Sequence, residues 1–147
     1  MPEEKIIVKS IGRPRDADRD ELIEWFCRVF GLAEGPDDME PKLLRAIVSA
    51  SFAGNGITSK VLYKKLSAPR STIIYHLNRL IETGVVVRKG RKYYLRSSDM
   101  QSTVEELQAD IIREFEKLEE YAKKFDSLFG VDNYGREKRR LKSAEER

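Results

Sequence analysis

Between Ile57 and Arg96 the chain carries ten Lys or Arg residues and a single acid, Glu82. Side chains of one sign at that density do electrostatic rather than covalent chemistry, and the chemistry they suit is holding a polyanion. The local balance is +9 against +3 for the whole chain, so the other residues sum to −6. One surface is therefore built for phosphate, and the rest repels it or stays hydrated. Two kinds of element must position these cations. A segment with helical apolar spacing opens with Pro69, Arg70, Ser71 and Thr72, and an alternating segment turns at Lys89, Gly90, Arg91 and Lys92.

Covalent chemistry has little to work with. The chain holds one His and one Cys, and it contains neither a G-x-x-x-x-G-K-S/T loop nor an H-E-x-x-H helix. Its acids sit on amphipathic patterns, where i,i+4 pairs such as Glu119 with Lys123 and Glu120 with Lys124 account for them. No enzyme activity, metal or cofactor is expected. His76 has no partner ligands nearby in sequence and reads as a structural or phosphate-contacting residue. Cys27 excludes an intramolecular disulfide and a cysteine zinc site, fits a reducing compartment, and beside Phe26 reads as a buried, inert thiol. The start, MPEEKIIVKS, lacks the layout of a signal peptide, and apolar runs are short, so the expected location is cytoplasmic with no membrane contact.

With 147 residues and 40% hydrophobic content, one modest core is affordable. Residues 1–36 read as an N-terminal extension, with a short strand over 5–11 and a helix from Asp20 to Phe30 behind Asp16, Asp18 and Asp20, closed by Gly31, Gly35 and Pro36. Residues 37–98 read as the central domain. Its first helix runs to Phe52, with Leu43, Leu44, Ile47, Val48, Ala50 and Phe52 inward, and Gly54-Asn55-Gly56 stops it. A short helix capped by Thr58 or Ser59 runs through Leu66, held by Val61, Leu62 and Leu66. After Ser67-Ala68, Pro69 opens a helix whose buried stripe is Ile73, Leu77, Leu80 and Ile81, closed by Gly84. Val85–Arg88 and Lys92–Arg96 read as a hairpin. Residues 99–129 read as one long helix and 130–147 as a basic, mobile tail. The fold class expected is mainly α with a small β-hairpin.

The two short helices joined through Ser67-Ala68-Pro69 fit a helix-turn-helix, in which the second helix enters the major groove. Burial of its apolar stripe leaves Arg70, Ser71, Thr72, Ile74, Tyr75, Asn78 and Arg79 for DNA. Arg70 suits guanine, Asn78 suits adenine or backbone, Ser71 and Thr72 suit a base or phosphate, and Ile74 and Tyr75 suit a thymine methyl. Arg88, Lys89, Arg91 and Lys92 at the hairpin, with Lys60, Lys64 and Lys65 before it, suit the phosphate backbone. The stretch STIIYHLNRLIETGVVV, with its Ser/Thr start, HL pair and closing L-x-x-x-G-hydrophobic run, resembles the winged helix-turn-helix of ArsR-like and MarR-like transcription regulators, especially compact archaeal forms. The resemblance covers Met39 to Arg96. It implies double-stranded DNA as partner and flanking helices that form a dimer interface. VLYKKL stands where metal sensors of that kind carry a cysteine box, so metal sensing is not implied.

The long C-terminal helix carries Val104, Leu107, Ile111, Phe115, Leu118, Ala122, Phe125 and Phe129 at intervals of three or four, a coiled-coil seam. Together with Leu22 and Phe26 of the first helix, the seam residues from Val104 to Phe125 form the expected interface of a homodimer. A small-molecule effector is not indicated, although Trp25, Phe26, Phe30 and Phe52 are aromatic enough to line a pocket. Two function classes follow. One is a homodimeric, sequence-specific DNA-binding transcription regulator. The other is a protein-interaction module of the transcription or chromosome machinery without specific DNA readout. Basic residues of the tail could also supply nonspecific nucleic-acid affinity.

Overall fold

A computed structural model describes residues 5–15, 18–32, 38–131, 140 and 144. The protein is mainly helical with one small antiparallel sheet. Its elements are α1 (Arg19–Val29), α2 (Met39–Phe52), β1 (Ile57–Thr58), α3 (Ser59–Leu66), α4 (Arg70–Glu82), β2 (Val86–Lys89), β3 (Lys92–Leu95) and α5 (Met100–Leu128). The chain divides into two compact units, 1–108 and 109–147.

Local chemistry sets most of these boundaries. Asp18 caps α1 by accepting from the Glu21 backbone N–H at 2.8 Å, and Thr58 caps α3 by accepting from the Val61 N–H at 3.2 Å. Asp99 caps α5: its carboxylate accepts from the Ser102 N–H at 2.6 Å, a bond that holds the carboxyl below the usual aspartate range. Pro69 stands at the N-cap of α4, where its missing N–H costs nothing. At the other end Gly84, with φ +80°, takes the left-handed conformation that lets the chain reverse into β2.

The core of the first unit lies where α1, α2, α3, α4 and the sheet meet. Leu43, Leu44 and Ile47 of α2, Leu62 of α3, Ile73, Leu77 and Leu80 of α4, and Val85 and Val86 are all but fully buried. Tyr93 and Leu95 of β3 close it from the sheet, and Leu107 of α5 joins the same cluster. The strand order is β1-β3-β2, with both pairings antiparallel. Pairing of Ile57 with Tyr93 adds a third strand that the expected hairpin lacked; two residues are too short to show alternation in sequence. The approach is close, since a Cβ on Gly56 would come within 2.5 Å of the Tyr94 ring.

Several expectations need correction. Residues 5–15 form no strand; the segment is tied down instead by single bonds from the Lys5 N–H to the Glu82 carbonyl and from the Lys9 N–H to the Val29 carbonyl. Phe52 and Val61 are 58% and 49% exposed rather than inward, because each lies off the buried stripe of its helix. The expected roles of Asp16, Gly35, Pro36 and most of the tail fall outside the described residues. Among those residues, no helix is long and apolar enough to cross a membrane.

Cys27 is fully buried, and that burial, with Glu40 and Glu24 nearby, pushes its thiol up to about 12. At pH 8 the reactive thiolate should then be about one part in ten thousand. The native protein should resist a thiol reagent that labels the urea-unfolded chain within minutes. Rapid native labelling would show that α1 does not seat Cys27 in the core.

Candidate nucleic-acid interface

The ten cations between Ile57 and Arg96 separate by what they touch. Two are engaged by carboxylates of the protein itself. Arg79 donates from Nε to Glu40 at 2.8 Å, and Arg96 donates from Nε to Glu106 at 3.0 Å. Among the described residues no ion pair engages Lys60, Lys64, Lys65, Arg70, Arg88, Lys89, Arg91 or Lys92.

Four of those eight converge. Lys60 of α3, Arg70 of α4, and Arg88 and Arg91 of the hairpin line one open cleft of about 650 Å³, together with Thr58, Ser59, Tyr63, Ile74 and Tyr93. Among the described residues, no carboxylate lines it. The N-terminal ends of α3 and α4 both border the cleft, and no side chain caps α4. Its first N–H groups therefore lack an internal acceptor and add partial positive charge on the same side. Four guanidinium or ammonium groups, four hydroxyl-bearing side chains in Thr58, Ser59, Tyr63 and Tyr93, and two helix N-termini form a surface fitted to phosphate oxygens.

The hairpin sorts its charges by strand alternation. Arg88 stands opposite Tyr93 in the register and its guanidinium lies 5.7 Å from that ring's centroid, while Nε donates to the Gly90 carbonyl at 2.9 Å. These contacts fix Arg88 at the cleft. Lys89 stands opposite Lys92, on the sheet face that carries Val87 and Tyr94, with its ammonium 5.5 Å from the Tyr94 ring. A like-charged pair directly across two strands opposes folding unless an anion lies between them. Gly90 supplies the one positive φ in the two-residue turn, the type II′ pattern that holds the strands at hairpin spacing.

The remaining expected contacts are distributed around this cleft. Ser71, Tyr75 and Asn78 are exposed on α4, and Thr72 is half-buried. Lys65 lines a different hollow, of about 420 Å³, beside Asp20 and Glu24, and is thereby set apart from the all-basic cleft. Lys64 is exposed and lines neither. Of the aromatics considered for a pocket, Phe26 meets Trp25 edge-on at 5.1 Å and stacks on Phe30 at 6.3 Å, while Phe52 is exposed and apart from them.

Sequence reading missed Glu40. It is 1% exposed, accepts from Arg79, and has its second oxygen 2.9 Å from His76 Nδ1, an ion-pair distance without regular hydrogen-bond alignment. Its hydrogen bond raises the Arg79 guanidinium above its ordinary value. Glu40 thus ties α2 to the middle of α4, and both partners come from a half-buried flank of that helix. An acid one place into a helix looks like a dipole partner, which concealed the role. A second missed feature is a hollow of about 440 Å³ where Arg13, Arg15 and Arg28 gather around Trp25, whose Nε1 donates to the Gly12 carbonyl at 2.8 Å.

Comparisons with protein-family models, curated proteins and solved structures find no match to this chain.

Arg79 and Arg70 should respond differently to truncation. Arg79→Ala strands a buried carboxylate and should cost about 3 kcal/mol in urea unfolding. Arg70→Ala removes an exposed side chain and should stay within about 0.5 kcal/mol. Equal stability of the two variants would refute the structural role given to Arg79.

Proposed function

We propose that this protein is a winged helix-turn-helix transcription regulator that binds double-stranded DNA as a homodimer. The observation that carries the proposal is the carboxylate-free cleft joining Lys60, Arg70, Arg88 and Arg91 across α3, α4 and the hairpin. In this reading α3 and α4 are the helix-turn-helix, joined through Ser67, whose φ of +50° makes the turn. The start of α4 enters the major groove with Arg70, Ser71, Ile74, Tyr75 and Asn78 toward the bases. The hairpin is the wing, and Arg88 and Arg91 hold the backbone while Lys89 and Lys92 meet phosphate or the adjacent minor groove. Arg79, engaged by Glu40, positions α4 instead of reading a base.

Dimerisation is supported by α5. Phe115, Leu118 and Phe125 are each about 60% exposed in one copy, and each forgoes roughly 1.5–3 kcal/mol of burial until covered. Leu107 does not belong to that surface, being 3% exposed in the core of its own unit, and Phe26 is half-buried against the same core.

The test is duplex binding after selection from a random-sequence pool, followed across a salt series. Recovery of one motif is expected, with affinity falling steeply as salt rises. Arg91→Ala should lower the log–log salt slope by about one and weaken all sequences alike, whereas Arg70→Ala should cost about 1–3 kcal/mol on the selected motif alone. Absence of duplex binding at low salt would favour the protein-interaction module. Binding without an enriched motif would remove the specific-regulator claim.

A further inference from the structure

We infer that two copies of α5 pair antiparallel, crossing near residue 120; this rests on the homodimer proposed above. From Ile111 to Phe129 the apolar positions are spaced 4, 3, 4, 3, 4, placing Ile111, Leu118 and Phe125 at one core position of a heptad and Phe115, Ala122 and Phe129 at the other. From Ile112 through Phe129, Asp126 alone is less than exposed, so this seam is uncovered within one copy. Its flanks carry Ile112, Glu119 and Asp126 on one side and Glu114, Tyr121 and Leu128 on the other, with no Lys or Arg on either. The bases of this stretch, Arg113, Lys117, Lys123 and Lys124, lie on the outer positions.

Those flanks decide the orientation. In a parallel pair Glu114 of each helix faces Glu119 of the other, giving two like-charge contacts, and Ala122 meets Ala122 in a layer that leaves a gap between Phe-rich neighbours. Reversing one helix so that Ile111 lies against Phe129 brings every seam residue into register. Phe115 then meets Phe125, Leu118 fills the space over Ala122, Glu114 faces Leu128, and Tyr121 faces Tyr121. A single like-charge contact remains, Glu119 with Glu119 at the two-fold axis. This surface is self-complementary and lacks the basic flanks that would answer acids on a parallel partner, so the occupant is a second copy of this chain.

Pairing about residue 120 separates the two Gln108 residues by twenty-four helical steps, about 36 Å.

Spin labels at an exposed position where the orientations differ most will decide. Gln108→Cys is labelled in the full chain, with buried Cys27 silent, and its dimer measured by double electron–electron resonance. A distance of about 35–40 Å is expected; parallel pairing gives less than about 20 Å and overturns the inference while leaving the dimer intact. Disulfide trapping gives a second readout, because Leu118→Cys mixed with Ala122→Cys should yield only the mixed dimer, and self-crosslinking of either variant alone overturns the antiparallel register. A monomer by sedimentation at tens of micromolar would overturn both the dimer and this inference.

Discussion

A carboxylate withdrawn from water needs charge around it, and in this protein that requirement governs where α4 stands. Glu40 is 1% exposed at the start of α2, and its two oxygens are answered from α4 by Arg79 and His76. The hydrophobic core shared by α2 and α4, with Leu43, Ile47, Leu77 and Leu80 among its members, would tolerate small slides along the helix axis. A buried charge held at 2.8 Å does not, since losing that contact leaves it unpaired in low dielectric. The axial position of α4, and with it the position of Arg70 relative to Lys60 and the hairpin, is set by this polar contact as much as by packing.

Much of this architecture was legible in the residues. The period of Ile73, Leu77, Leu80 and Ile81, the stop at Gly84 and the turn at Gly90-Arg91 each state their structure locally and are found as read, and of Thr58 and Ser59 it is Thr58 that caps α3. Long-range facts were not legible. Nothing near Glu40 in sequence announces Arg79, thirty-nine residues away, and nothing in Ile57-Thr58 announces the edge it adds to β3. The exposure of Phe52 and Val61 has a similar origin, for which face of a helix meets the core is decided by tertiary packing that a short hydrophobic run does not state.

The candidate site shows the same division. Its composition could be read as ten bases and one acid, but the division of those bases could not. Strand register places Arg88 with Tyr93 and Lys89 with Lys92 on opposite faces of one hairpin, and tertiary contact engages Arg79 and Arg96 in the protein's own ion pairs. Charge density in sequence therefore overstates the number of cations facing any one ligand. The four that meet in the cleft do so because two helix starts and one turn converge there.

Engagement of His76 and Arg79 by Glu40 also bounds how this helix can diversify. Of the thirteen residues in α4, Ile73, Leu77, Leu80 and Ile81 are committed to the core, and positions 76 and 79 are committed to Glu40. Ile74 also packs against the core, so positions 70, 71, 72, 75 and 78 are left as the vocabulary that descendants of this sequence can rewrite without refolding it. A lineage diversifying this surface would accumulate substitutions there while holding residues 40, 76 and 79 as a linked set.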